Sequence, residues 1–316
     1  MATRFKARIS KIERLSADTS SFRFDALDET PFSDLTAGAH LDIDLPDGFT
    51  RQYSVFEWDD AGRWASVAVK REEAGRGGSE RMHQLSEGQE VSLGGPRNNF
   101  ELDETAPAHI LIAGGIGVTP IYAMAARLKA LGKTPILYYL TRSADLAAFE
   151  DKLKALELGE GLHLHRDEEH GFADFEAIYA NASPGTQTYI CGPEPMLQAA
   201  LAKAEILGKE NVRYERFVAG ETETEGENGS FEVVLAKSGK SFQIGPDESI
   251  LNVFLDNGVD VDFGCSEGGC GSCITDVLEG DVDHRDIVLT DDEHAENSMM
   301  CVCVSRAKGD RLVLDL

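Results

Sequence analysis

Five of the six cysteines of this 316-residue chain, Cys265, Cys270, Cys273, Cys301 and Cys303, fall within 39 residues near its C-terminus. Their spacing constrains the local fold more than any other feature. The run FGCSEGGCGSC sets Cys265, Cys270 and Cys273 in a C-x4-C-x2-C pattern, and Cys303 follows after 29 intervening residues. Thiolates so spaced suit the four ligands of a 2Fe–2S cluster. Gly264, Gly268, Gly269 and Gly271 permit the tight backbone that convergence on a small centre demands. Zinc prefers paired C-x2-C units, and only one is present. Cys301 competes with Cys303 as the fourth ligand; spacing favours Cys303 and leaves Cys301 as a buried structural thiol. A disulfide framework would need a secreted context, whereas the basic start MATRFKARISKIERL has no apolar stretch behind it. A cytoplasmic protein is expected.

Charge narrows the partners. With 30 Lys and Arg against 56 Asp and Glu, the net charge of −26 repels phosphate backbones and anionic lipid. Nucleic acid and membrane surfaces are excluded as partners, and no apolar run is long enough for a transmembrane helix. The acid is densest from Ser230 onward. That density serves either solubility or the docking of a positively charged protein partner.

The chain divides by pattern. Residues 1–103 read as β throughout, with strands expected at Phe5–Arg14, Ser21–Asp25, His40–Leu45, Gln52–Glu57 and Trp64–Arg71 separated by turn residues. Short strands at that spacing predict a small antiparallel barrel. Residues 104–220 alternate strands with helices. The strands are His109–Ala113, Ile136–Thr141, Leu162–Arg166, Thr188–Cys191 and Val212–Phe217. The helices are Pro120–Leu131, Ala144–Leu156, Phe172–Asn181 and Glu194–Leu207, so a parallel sheet covered by helices follows. Residues 221–229 belong to GETETEGENG, which has nothing to bury and is expected to act as an acidic linker. Residues 230–316 hold a hairpin (Phe231–Lys237, Lys240–Ile244), a short helix (Ser249–Asn257), the cysteine loop and further strands. The acidic runs near Asp281–Asp286 and Asp291–His294 read as solvated loops.

Four motifs precede the cysteine loop. Arg51-Gln52-Tyr53-Ser54 sits on a strand: an arginine can bind phosphate bidentately, a tyrosine can cover a flavin ring, and a serine hydroxyl can bond flavin N5. Gly75-Arg76-Gly77-Gly78-Ser79 follows and opens a helix expected over Ser79–Leu85, suited to a phosphate. Gly114-Gly115-Ile116-Gly117-Val118-Thr119-Pro120 lies between an apolar strand and an apolar helix, the context of a dinucleotide loop. Its pattern is G-x-G-x-x-P, with proline opening the helix in place of a third glycine. The next strand ends at Arg142, not at an acidic residue. That arginine could accept a 2′-phosphate, so NADH and NADPH both remain open on physical grounds, as do FMN and FAD. Cys191-Gly192-Pro193 ends a later strand at the sheet edge where ligands bind, although a buried free cysteine is ordinarily a small apolar residue. His163 and His165 alternate on a strand without a further ligand set.

Together these motifs resemble the phthalate dioxygenase reductase family, and the resemblance spans essentially the whole chain. It implies a flavin-binding β-barrel, a ferredoxin-reductase-type α/β nucleotide-binding domain and a C-terminal β-grasp 2Fe–2S ferredoxin domain. It implies FMN contacted by Arg51, Tyr53, Ser54, Lys70, Gly77, Gly78 and Ser79, and NADH at Gly115, Gly117, Thr119, Pro120, Arg142, Cys191, Gly192 and Pro193. Cys191 would lie by the nicotinamide, and Phe217 matches a family position where an aromatic covers the flavin, with a core role as the alternative. Ser54 and Cys191 are the candidate catalytic residues. The resemblance implies electron flow from NADH through FMN and the cluster to a terminal Rieske-type oxygenase. Other readings are a flavin and iron–sulfur redox sensor, or a reductase for a cytochrome P450 or a carnitine-type monooxygenase.

Overall fold

The computed structural model describes the chain except residues 1–3, 28–31, 33, 46–49, 73–76, 218–228, 247, 264–267, 270 and 287 and the side chain of residue 291. The described residues form two compact units, 2–215 and 216–316.

In the first unit six strands, β1 (Arg4–Arg14), β2 (Thr19–Ala26), β3 (His40–Asp44), β4 (Thr50–Trp58), β5 (Trp64–Lys70) and β6 (Glu90–Arg97), close into a barrel in the order β1-β2-β5-β4-β3-β6. All six pairings are antiparallel. Alternation drives closure. Phe5, Ala7 and Ile9 of β1 point inward between exposed neighbours, and Phe22 and Phe24 of β2 join them. Each of those two phenylalanines is almost wholly buried and contributes roughly 1.5–3 kcal/mol. Strand β6 was not expected from EVSLGGPR, whose Gly-Gly-Pro reads as a turn. It pairs with both β1 and β3 and so closes the barrel, with Leu93 opposite Phe5 and Ile43. A short helix, α1 (Gly78–Gln84), stands between β5 and β6.

The same unit continues into β7 (Ala108–Gly114), α2 (Val118–Ala130), β8 (Ile136–Thr141), α3 (Glu150–Ala155), β9 (Leu162–Arg166), α4 (Asp167–His170), α5 (Phe175–Ala180), β10 (Thr186–Cys191), α6 (Glu194–Ile206) and β11 (Val212–Glu215). The strands form a parallel sheet in the order β11-β10-β7-β8-β9. Every residue of β10 is buried, and so are the last six of β7, as expected of strands covered on both faces. Strand order reverses at β7. The crevice between the C-terminal ends of β7 and β10 is therefore the topological switch point, where ligands bind in open α/β sheets. Two expected helices are shorter than their patterns. Gly171 at φ 72° breaks the stretch before Phe172, and Asp174 starts α5 by accepting the Glu176 and Ala177 N–H groups. The expected helix over Ala144–Leu156 is a 3-10 turn at Ala144–Leu146 followed by α3.

The second unit contains β12 (Phe231–Leu235), β13 (Ser241–Ile244), α7 (Ile250–Asp256), β14 (Ile274–Glu279), β15 (Val282–Asp283), α8 (Asp291–Glu296), β16 (Met299–Cys301), β17 (Arg306–Ala307) and β18 (Arg311–Leu314). Its main sheet runs β13-β12-β18-β14-β16, with β12 and β18 parallel, and α7 packs on it in a β-grasp. Ser249 caps α7 through the Asn252 N–H. The acidic runs are not the solvated loops expected of them. Residues 291–296 form α8, started by a capping box between Thr290 and Glu293, and Asp286 is buried. Of the expected linker 221–229, all but Gly229 lies outside the described residues. Among the described residues no helix is long and apolar enough to cross a membrane.

Candidate functional site

The first two motifs meet in space. Arg51, Tyr53 and Ser54 lie on β4 opposite Ile43, Leu41 and His40 of β3. The Arg51 side chain runs over Gly78, where a Cβ would come within 2.5 Å of Arg51 Nε. A Cβ there would push the Arg51 side chain aside. Gly77 enters α1 at φ 77°, a left-handed conformation natural to glycine. The Ser79 hydroxyl accepts the Glu72 N–H at 3.0 Å, and Lys70 pairs with Glu72. An arginine held against a glycine-lined turn fits the phosphate end of a flavin. Gly75 and Arg76 lie outside the described residues.

The next two motifs interlock at the switch point. A Cβ on Gly117 would stand 2.3 Å from the Cys191 carbonyl oxygen, and one on Gly192 would stand 2.9 Å from Gly114 Cα. Gly115 takes φ 51° within a 3-10 turn. Thr119 donates from its hydroxyl to the Ile116 carbonyl at 3.1 Å, and Pro120 is buried in the first turn of α2. Pro193 precedes α6. The two turns thus approach backbone to backbone, and the half-buried turn at Gly115 fits the pyrophosphate of a dinucleotide. Arg142 is exposed just beyond β8. Phe217 lies past the end of β11 and is 38% exposed, so its alternative reading as a core residue is overturned.

Three side chains converge where these motifs come together. Cys191 and Glu215 are register partners on β10 and β11, and the Ser54 hydroxyl hydrogen-bonds the Glu215 carboxyl. Glu215 Oε2 is buried and has no partner among the described residues. Burial pushes the Glu215 carboxyl up to about 8, against the downward pull of that hydrogen bond. The Cys191 thiol is driven well above its usual range, first by burial and then by Glu215. The buried Cys191 thiol is therefore held in its uncharged form. Sequence reasoning passed over Glu215, although an acidic residue at the sheet edge beside the Cys191 strand was there to be noticed.

In the second unit Cys273, Cys301 and Cys303 are buried side by side. The Cys301 and Cys303 thiols hydrogen-bond to Cys273 and hold it low, as a thiolate, while its partner Cys301 is pushed up. Gathered sulfurs that stabilise a thiolate fit a cluster ligand set. Cys265 and Cys270 lie outside the described residues.

Comparison with known proteins agrees with this layout. Residues 6–102 match a family described as an oxidoreductase FAD-binding domain, and 96–213 match the N-terminal domain of the DmmA-like subunit of dimethylamine monooxygenase. Residues 233–308 match a 2Fe-2S iron-sulfur cluster binding domain. Phthalate dioxygenase reductase of Burkholderia cepacia is 38% identical over 317 residues, which cover 98% of this chain and 97% of the relative. This chain belongs to the phthalate dioxygenase reductase family. A solved structure of phthalate dioxygenase reductase superposes with a TM-score of 0.80 at 38% identity, covering 99% of this chain and 98% of that one. Tetrachlorobenzoquinone reductase of Sphingobium chlorophenolicum is 42% identical over 98% of this chain and 97% of its own. An intact type IV self-sufficient cytochrome P450 monooxygenase matches at 34% identity and a TM-score of 0.81 over 99% of this chain, which spans 41% of that longer protein. The family member described here is an electron-transfer oxidoreductase of the kind that serves oxygenase systems, working through a flavin and a 2Fe–2S cluster.

Proposed function

We propose that the chain carries electrons from NADH through FMN and a 2Fe–2S cluster to a terminal Rieske-type oxygenase in the cytoplasm. The observation that carries the reading is the convergence of Ser54, Cys191 and Glu215, which joins the RQYS strand to the dinucleotide crevice. A bound flavin would supply the conversion between two-electron hydride chemistry and one-electron transfer, and a bound 2Fe–2S cluster one-electron transfer onward. Arg51 and Ser79, with Gly77 and Gly78, hold the flavin phosphate, while Tyr53 covers the ring and Lys70 stands beside it. Gly115, Gly117, Thr119 and Pro120 shape the turn that receives the pyrophosphate, with Gly192, Pro193 and Arg142 beside it. Cys191 keeps water from the reacting face without adding charge. Ser54 donates a hydrogen bond toward the flavin, and Glu215 holds a proton next to that hydroxyl. By family resemblance, Phe217 would be the aromatic residue that lies against the flavin. Cys265, Cys270, Cys273 and Cys303 ligate the iron. The working parts are then residues 1–103 for FMN, 104–220 for NADH, a linker at 221–229 and 230–316 for the cluster.

The relative named for tetrachlorobenzoquinone favours a second reading, in which a halogenated quinone is the acceptor. Steady-state NADH oxidation with a purified Rieske oxygenase, and separately with a halogenated benzoquinone, distinguishes the two. Turnover with the oxygenase and coupled product formation is expected. Fast turnover with the quinone alone would favour the second reading, and oxidation that halts after one or two equivalents with every acceptor would make the protein a sensor.

A further inference from the structure

The second unit holds a group of ligand-type side chains that electron transfer does not use. His284 and Asp286 follow β15, and His294 comes from α8, whose start is fixed by Thr290 and Glu293: the Thr290 hydroxyl accepts the Glu293 N–H at 3.3 Å, and the Glu293 carboxylate accepts the Thr290 N–H at 2.7 Å. One donor atom from each of His284, Asp286 and His294 lies within 4.8 Å of the other two. His294 Nε2 is 3.2 Å from Asp286 Oδ2, and His284 Nδ1 is 3.7 Å from Asp286 Oδ1. The imidazoles lie nearly parallel, with centroids 4.3 Å apart.

Two features distinguish this group from an ordinary polar cluster. The His284 side chain is 7% exposed, yet neither ring nitrogen has a hydrogen-bond partner among the described residues. Buried polar atoms are nearly always paired, so an orphaned imidazole points to a missing ligand. The Asp286 carboxylate is fully buried, with the Ser305 hydroxyl donating to Oδ1 at 3.2 Å and the Leu289 N–H donating to Oδ2 at 3.0 Å. Those donors orient the carboxylate as second partners orient metal-bound groups, but they bring no charge. The neighbouring Arg285 pairs with Asp283 instead.

We propose that His284, Asp286 and His294 bind one divalent transition-metal ion of the zinc class, separate from the cluster cysteines. Two imidazoles and a carboxylate suit Zn2+, Co2+, Ni2+ or Cu2+, whereas Mg2+ and Ca2+ prefer oxygen ligands throughout. Three protein ligands leave a fourth position for water. The site also backs the cysteine loop, since a Cβ on Gly268 would lie 3.0 Å from Asp286 Cα, and Ser305 follows Cys303 by two residues. An ion here would brace that loop and raise the thermal midpoint of the unit by mass action.

The test uses the full chain with flavin and cluster loaded. Zn2+ titration by calorimetry is expected to give one ion per chain at micromolar affinity or tighter, with the cluster absorbance unchanged. His284→Gln and His294→Gln are each expected to weaken binding at least about 30-fold, consistent with loss of a ligand or its support, while His170→Gln in the first unit leaves it unchanged. His294 is on a surface helix, so its variant remains informative if His284→Gln folds poorly. Electron paramagnetic resonance of bound Cu2+ should show two imidazole nitrogens, falling to one in either variant. No micromolar binding, binding equal in wild type and both variants, or uptake only with loss of cluster absorbance would each overturn the site, the last by moving zinc to the thiolates.

Discussion

The two units bring their functional residues together by different means. In residues 2–215 the motifs meet where side chains are absent: Gly117 against the Cys191 carbonyl and Gly192 against Gly114, backbone to backbone, and Gly78 beneath the Arg51 side chain. In residues 216–316 they meet as side chains, with the Cys301 and Cys303 thiols hydrogen-bonded to Cys273. The first unit is tuned by the absence of side chains and the second by their chemistry. Glycine sites should therefore be intolerant to a single methyl, whereas thiol sites should tolerate volume and fail on loss of sulfur.

The largest expected effect breaks the second unit alone. Cys273→Ser and Cys303→Ser should each abolish the 2Fe–2S absorption while NADH still reduces the flavin. Cys301→Ser should keep the cluster, and a Cys301→Ser protein without iron would exchange the roles of those two thiols. Iron content and visible spectra of the three variants decide this.

Next comes the first unit. Gly117→Ala should lower kcat/KM for NADH by about 10- to 100-fold, because a displaced turn misplaces the reacting atoms. It should also cost about 1–3 kcal/mol as an overpacked contact. Stopped-flow reduction and urea unfolding measure both, and an unchanged rate would mean that the close approach at Cys191 is not needed for hydride transfer.

A smaller effect separates the units by pH. The Glu215 carboxyl is raised in the folded chain, from an ordinary 4.5 to about 8, so the native state binds the extra proton. Its contribution is full below pH 4.5 and is lost as pH rises through about 8. Stability of the first unit should fall by on the order of 2–4 kcal/mol across that window. Glu215→Gln should flatten the slope, as read from thermal midpoints at several pH values. A slope equal in wild type and variant would remove Glu215 as its source.

The smallest effect is at Arg142. As an exposed charge it should be worth about 0.5–1 kcal/mol at most, so Arg142→Ala should change KM for NADH no more than about fivefold. A greater loss would give that arginine a central part in coenzyme binding.

Much of this was legible before any coordinates. The strands Ile136–Thr141 and Leu162–Arg166 match their expected limits, because β-branched and aromatic runs between turn residues say one thing. The cysteine spacing and the G-x-G-x-x-P turn carry their own chemistry. Strand β6 was hidden because Gly94, Gly95 and Pro96 look like a turn when seen without their partner strands, and pairing with β1 and β3 overrides that local preference. Helix α8 was hidden because DDEHAE has no apolar face, although Thr290 and Glu293 spell a capping box. Glu215 was hidden because its meaning comes from burial beside Ser54 and Cys191, residues distant in sequence.

The most direct test of the electron path is the visible spectrum of the anaerobic protein before and after one equivalent of NADH. Flavin bands on a broad iron–sulfur envelope, both bleached by NADH, are expected. An iron–sulfur envelope without flavin, or a flavin that NADH leaves oxidised, would contradict the account.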